Sequence, residues 1–253
     1  MSEPQDRIEN KSRRSFVGAA AVAGASAGVA ALAPGLKLIE VAGAAPRAPG
    51  EPASSAVRWG MLIDTTKCAS GCDACVKACA TENGINETVK DPRQGSQWIR
   101  KIDLKDPKTG QEYSLPMLCQ HCEHPPCVDV CPTGASMKRA DGIVLVDRHI
   151  CIGCRYCMMA CPYKARSLVH MPLTEQNPLV PRGQGCVEAC TFCVQRVDRG
   201  QQPACVEACP EKAMLFGNLN DPNSEIAQRV AKEKTTQVRA DLKLNLGVRY
   251  QGI

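Results

Sequence analysis

The stretch Cys151-Ile-Gly-Cys154-Arg-Tyr-Cys157-Met-Met-Ala-Cys161-Pro162 is a complete C-x2-C-x2-C-x3-C-P run, and its reading decides the fold. Three thiolates on one tight loop grip three irons of a cubane, while the fourth, three residues on, points away and ligates the neighbouring cluster. The proline reads as part of the first turn of a helix opened by that fourth cysteine, where a missing N–H costs nothing. Upstream, Cys119-Gln-His-Cys122-Glu-His-Pro-Pro-Cys127-Val-Asp-Val-Cys131-Pro132 repeats the logic with wider spacing. Exchanging fourth ligands puts Cys119, Cys122, Cys127 and Cys161 on one [4Fe–4S] cluster and Cys151, Cys154, Cys157 and Cys131 on a second.

Two other chemistries of cysteine fit less well. Structural zinc uses two C-x2-C pairs across a longer spacer and gives no reason for a third cysteine followed by Cys-Pro. Disulfides rarely join cysteines two residues apart, and they leave the repeated triplets unexplained. His121 and His124 lie among the ligands, but every ligand position is filled by cysteine, so they read as supporting or surface residues.

A second pair of runs encloses the first. Cys68-Ala-Ser-Gly-Cys72-Asp-Ala-Cys75-Val-Lys-Ala-Cys79 has three residues between its first two cysteines and Ala80 where proline is expected. Its counterpart is Cys190-Thr-Phe-Cys193, then Cys205-Val-Glu-Ala-Cys209-Pro210. The exchange rule then assigns Cys68, Cys72, Cys75 and Cys209 to a third cluster and Cys190, Cys193, Cys205 and Cys79 to a fourth. Of 17 cysteines only Cys186 is left over. It reads as a spare thiol beside the fourth cluster, with a ligand swap as the alternative, because Cys186-x3-Cys190-x2-Cys193 mimics the widened spacing.

The chain is therefore expected to be α+β, with two ferredoxin-like bis-[4Fe–4S] units, one inserted within the other, built on short strands and hairpins. Residues 58–118 form the first half of the outer pair plus a hairpin, 119–165 the inserted pair, 166–222 the second half of the outer pair, and 223–253 a C-terminal helix and tail. Leu62-Ile63-Asp64 before Cys68 matches Leu145-Val146-Asp147 before Cys151, an internal repeat in which a strand delivers the chain to the ligand loop. Strands are expected at residues 58–64, 97–104 and 113–118, the last two flanking the turn Asp106-Pro-Lys-Thr-Gly110 beside the central pair. A polar helix should follow Asn220-Asp-Pro-Asn-Ser224, and 248–250 should add an edge strand or reach a partner. Trp59 and Trp98 read as packing residues.

Residues 1–44 read as a targeting signal. Ser12-Arg13-Arg14-Ser15-Phe16-Val17 is a twin-arginine motif, an uncharged Ala/Gly-rich stretch follows, and Ala42-Gly43-Ala44 offers a cleavage site. The same stretch is long enough for an uncleaved anchor. Residues 45–57, rich in Pro, Ala, Gly and Ser, read as a linker. The twin-arginine route carries folded proteins, which suits clusters assembled before export. The expected location is the periplasm or the outer membrane face, with thiols bound to iron rather than oxidised.

Composition excludes several classes. A net charge of +5 and 4% aromatic residues support no nucleic-acid partner. No G-x-G-x-x-G, Walker or C-x-x-C-H motif occurs, so nucleotide, flavin and covalent haem are unsupported. Lys77, Arg155 and Lys164 adjoin ligands and would raise cluster potentials if close, although solvated surface is the plainer reading.

The four cysteine sets, with Cys131-Pro-Thr-Gly-Ala135, Cys190-Thr-Phe-Cys193 and Gly217-Asn-Leu-Asn-Asp-Pro-Asn223, resemble the four-cluster ferredoxin-like subunits of membrane-associated oxidoreductases. Within that family, the twin-arginine signal and the Cys68-to-Cys75 set are similar to the DsrO type, the periplasmic iron–sulfur subunits of DsrMKJOP complexes of dissimilatory sulfur metabolism. Subunits of nitrite, tetrathionate, polysulfide and hydrogenase systems share the frame. The resemblance implies one-electron relay with no substrate site in the chain, an integral membrane quinone-interacting subunit and a multihaem cytochrome c as partners. A catalytic reductase with an open cluster site, motivated by Cys186 or the widened Cys68 loop, is the alternative, and a cluster-storage scaffold is a third reading.

Overall fold

Trp59-Gly-Met-Leu-Ile-Asp64 is apolar on consecutive rather than alternate positions, the pattern of a strand covered on both faces. In the computed structural model, which describes residues 46–48, 50–85, 91, 94–174 and 176–253, it is strand β1, buried from Gly60 onward. The twin-arginine stretch lies outside the described residues, and Arg47 of the expected linker pairs with Asp198 at 2.8 Å.

β1 is the middle of a three-stranded sheet. After it come helix α1 (Ala74–Glu82), strands β2 (Ile99–Lys105) and β3 (Glu112–Leu118), helix α2 (Pro126–Asp129) and strands β4 (Ser136–Lys138) and β5 (Val144–Val146). Then follow helix α3 (Tyr156–Ala160), strands β6 (Ser167–Leu168) and β7 (Val187–Glu188), and helices α4 (Val194–Val197) and α5 (Ala204–Glu207). Strand β8 (Met214–Asn218), helix α6 (Glu225–Lys232) and strand β9 (Val248–Gln251) complete the chain. The sheet order is β8-β1-β9, with Met61 opposite Phe216 in the antiparallel ladder and opposite Val248 in the parallel one. Gly60 is required there, since a Cβ would stand 2.8 Å from the Gly247 carbonyl and closer still to Leu219.

The expected strands form, each shifted by a residue or two. β2 and β3 pair from Ile99↔Leu118 to Lys105↔Glu112, and their turn closes through Asp106 N–H to Gln111 O at 2.8 Å. The polar helix is α6, capped by Ser224 Oγ accepting from Ala227 N–H at 3.2 Å. The tail takes the edge-strand option: Val248 and Tyr250 in β9 are fully buried.

The repeat seen in the sequence is a structural device. Asp64 and Asp147 end β1 and follow β5, and each side chain accepts the amide two residues on, from Thr66 at 3.1 Å and His149 at 2.8 Å. Their own amides donate to Ala213 O and Ala135 O at 2.8 and 2.7 Å. Ala213 lies four residues after Cys209, and Ala135 four after Cys131. The same bond thus brings each fourth cysteine's loop against the strand that feeds the opposite triplet.

The expected helix after each Cys-Pro is absent. The helix instead precedes the fourth cysteine, as α2, α3 and α5 do, and Cys-Pro opens a β-turn closed by Gly134, Lys164 and Lys212 N–H onto Cys131, Cys161 and Cys209 O at 3.2–3.3 Å. Proline pre-sets φ for the second turn position, which explains its presence equally well. In α1, where Ala80 replaces proline, the helix continues past Cys79 to Glu82.

Tyr250 fastens the tail to the interior, its hydroxyl donating to Pro116 O at 3.0 Å and accepting from Gln120 Nε2 at 3.2 Å. Tyr250→Phe should therefore cost about 1–2 kcal/mol, read as a lower denaturation midpoint at unchanged iron content; an unchanged midpoint would show that the tie contributes nothing.

Candidate iron–sulfur sites

Every one of the seventeen cysteines is a free thiol, and most are buried. Among the described residues no three His, Cys, Asp or Glu side chains converge tightly enough to hold a single metal ion. The thiols nonetheless gather into sets whose members feel one another's charge. Cys119 and Cys122 each face Cys127 and Cys161. Cys157 faces Cys151 and Cys131. Cys75 faces Cys68 and Cys72. Cys190 and Cys205 both face Cys79 and Cys193.

Thiols that the exchange rule assigns together occur among these neighbours, while Cys154 and Cys209 are placed by their backbone surroundings. Cys209 is half-buried, and the Asp64–Ala213 bond ties the turn that follows it to the strand preceding Cys68. Cys154 stands exposed on its loop between Gly153 and Arg155, both in the left-handed region. Charge interactions also reach between sets: Cys79 and Cys205 with Cys75, and Cys127 with Cys157. Between the Cys190 and Cys119 sets stand the rings of Phe192 and His121, stacked with centroids 3.7 Å apart, and Tyr250. These pairings are consistent with a row running from the Cys68 set through the Cys190 and Cys119 sets to the Cys151 set.

The donor chemistry fits an iron–sulfur group. Burial, then the charges of Cys68 and neighbouring thiols, push the Cys75 thiol up to about 11. Burial and Cys193 push Cys79 to about 12, and burial with Cys127 and Cys161 does the same for Cys122. Cys190 and Cys205 are raised well above the thiol range by the same causes. Crowded, desolvated thiols of this kind need a multiply charged cationic core among them to ionise.

Hydrogen bonds to sulfur supply the second layer. The β-turns after each Cys-Pro return an amide to the thiolate: Ser136 to Cys131 at 3.3 Å, Ala165 to Cys161 at 3.5 Å, Ala213 to Cys209 at 3.2 Å. At Cys131 burial raises the thiol slightly, but bonds from Ser136 and Thr133 outweigh it and the net shift is downward. The helix past Cys79 denies it such a turn, and the fully buried Asn83 takes that place, its Nδ2 lying 3.6 Å from Cys79 Sγ and 3.9 Å from Cys193 Sγ.

Several contributors carry no motif. Lys101 on β2 donates to Cys68 Sγ at 3.4 Å and to Ala69 O at 2.9 Å, so the hairpin leans on the outermost set as well as the central pair. Arg58 pairs with Glu123 and donates to His121 O at 3.1 Å. Arg166 is buried against Cys119, Cys127 and Cys157. Of the cations adjoining ligands in sequence, Lys77 pairs with Asp73 in solvent, and Arg155 and Lys164 are exposed. His121 is fully buried with Nδ1 accepting from Val144 N–H at 3.0 Å, whereas His124 is exposed. Cys186 does not lie beside the Cys190 set. The β6–β7 pairing turns it against the Cys151 loop, where its thiol donates to Arg148 O at 3.3 Å.

Comparison with known proteins agrees with this chemistry. Residues 111–219 match the family described as 4Fe-4S dicluster domain. The chain is 45% identical to an Hdr-like menaquinol oxidoreductase iron–sulfur subunit 1 of Archaeoglobus fulgidus, over 73% of this chain and 80% of that one. It is 40% identical to protein NrfC of Escherichia coli, over 74% and 77%. It is also 34% identical to ArrB, the arsenate respiratory reductase iron–sulfur subunit of a Shewanella species, over 73% and 92%.

Because the raised thiols bind iron only as thiolates, each must lose a proton on loading. Reassembly of iron-depleted protein with iron and sulfide should quicken and tighten as pH rises from about 7 to 9, followed by visible absorbance; pH-independent assembly would contradict the crowding described here.

Proposed function

Since the chain belongs to the ferredoxin-like 4Fe-4S iron–sulfur subunits of membrane-associated oxidoreductases, we propose that it relays single electrons through four [4Fe–4S] clusters between a quinone-reactive membrane subunit and a redox partner. The observation that carries this reading is the interleaving of sulfurs distant in sequence: Cys79 beside Cys193 and Cys205, and Cys161 beside Cys119 and Cys122. Its ligands are Cys68, Cys72, Cys75 with Cys209; Cys79 with Cys190, Cys193, Cys205; Cys119, Cys122, Cys127 with Cys161; and Cys151, Cys154, Cys157 with Cys131. Clusters so held accept and pass one electron each at potentials set by burial, charge and hydrogen bonds to sulfur.

The chain's own residues do the positioning. The Pro turns and Asn83 aim N–H groups at sulfur, and Phe192, His121 and Tyr250 fill the space between the two halves of the row. The row ends at exposed Cys154, whose loop also carries Ile150, Ile152, Tyr156 and Met159, 46–74% exposed, beside exposed Arg155. Exposed apolar side chains on that loop suit docking of the membrane subunit.

The finer reading is a DsrO-like place in a sulfur-metabolising complex, exported by the twin-arginine route to the outer membrane face, with a multihaem cytochrome c as the further partner. The twin-arginine stretch and the Cys68-to-Cys75 set support it, and the menaquinol oxidoreductase relative supports the quinone side. The chain itself holds no substrate site in this reading.

Two experiments test it. Purified full-length protein should hold about sixteen irons, and Cys209→Ser should abolish the same EPR signal as Cys68→Ser, whereas Cys79→Ser and Cys205→Ser abolish a different one. Ligands grouped by sequence instead would refute the exchange. Replacing Arg13 and Arg14 together by Lys should leave the loaded protein in the cytoplasmic fraction; unchanged export would remove the localisation.

A further inference from the structure

Arg166 follows the Cys161-Pro162 turn and leads into β6, and only 5% of it is exposed. Its guanidinium faces sulfurs of two different sets, Cys119 and Cys127 of one and Cys157 of the other. Nε and Nη1 are buried without a hydrogen-bond partner. Among the described residues no carboxylate pairs with it, and Glu188, which shares a small cavity wall with Arg166, is held by Arg182 at 2.6 Å. Arg100, Lys164 and His170, which line an outer cleft with it, add no negative charge.

A buried guanidinium without a counter-charge is expensive, and arginine does not shed its proton to escape the cost. The negative charge within reach is that of the cysteine sulfurs. A cubane with four thiolates is already anionic. Reducing it by one electron, from dithionite in vitro or from the quinol-side partner in a complex, adds one negative charge, makes and breaks no bond, and requires no proton. A fixed cation nearby stabilises the reduced state more than the oxidised one.

We propose that Arg166 is the shared counter-ion of the two inserted clusters, and that its charge holds both of their reduction potentials up together at the exposed end of the relay. The proposal rests on the four-cluster reading. It explains why a cation is buried where two thiol sets meet, and it replaces Lys77, Arg155 and Lys164 as the charge that matters there.

The test is an EPR-monitored redox titration of iron-loaded full-length Arg166→Gln and Arg166→Lys beside the wild type. Cys154→Ser and Cys122→Ser identify the signals of the inserted pair. Arg166→Gln is expected to lower both of these potentials by at least about 59 mV, a tenfold fall in the reduced-to-oxidised ratio at fixed potential, with the outer two unmoved and iron content unchanged. Arg166→Lys, a shorter and more strongly hydrated cation, should lower the same two part of the way, and it decides the matter if the Gln variant does not load. Potentials that stay put, or all four moving equally, overturn the proposal. So does a shift of wild-type potentials by inorganic phosphate that Arg166→Gln abolishes, because Arg166 would then serve an anion in the outer cleft. The wild-type iron count judges the four-cluster reading separately.

Discussion

Thiolates are costly to bury, and this protein buries them in groups. Cys79, Cys119, Cys190 and Cys205 are each less than a tenth exposed and crowded by other sulfurs. Left as thiols they raise one another's pKa. In the proposed clusters they would cross-link a chain whose helices run mostly to four or five residues and whose sheets, apart from the central one, have two strands among the described residues. Seven cysteines belong to the main buried core, so cluster loading would contribute directly to folding free energy.

The same local device recurs at two of the four crossings, those that bring the Cys209 and Cys131 loops to the strands feeding Cys68 and Cys151. A strand ends in an aspartate that bonds the second amide onward, and the aspartate's own amide holds the loop of the other set. A short helix ends at cysteine, proline starts a β-turn, and the turn returns an amide to sulfur. Where proline is missing, at Ala80, the helix runs on and a side-chain amide from Asn83 does the work of the lost backbone one. Different backbone solutions deliver the same N–H···S chemistry.

Function follows from how the sets are spaced and finished. Rings of Phe192, His121 and Tyr250 fill the middle of the row, cations reach sulfur from outside it, and one end surfaces among apolar side chains. Such an arrangement suits the proposed relay of electrons. The menaquinol oxidoreductase and arsenate respiratory reductase relatives are each named as an iron–sulfur subunit.

Cysteine spacing alone pointed to [4Fe–4S] chemistry, because a cubane accepts few loop geometries, and it suggested the four sets and the exchange on which the proposed relay is built. The strands at residues 59–64, 99–105 and 112–118 were legible too, since apolar runs and Asp-Pro-x-x-Gly punctuate them. The Cys-Pro pairs read as helix starts in the sequence, because proline suits both a helix and a turn, and only the neighbouring β-strand chooses between them. Nearness in sequence puts Cys186 beside Cys190, but β6–β7 pairing carries it to the Cys151 loop. Lys101, Asn83 and Arg166 had no motif at all. Which charge or amide meets which sulfur depends on contacts between segments dozens of residues apart, and such contacts exist only once the chain has closed around its clusters.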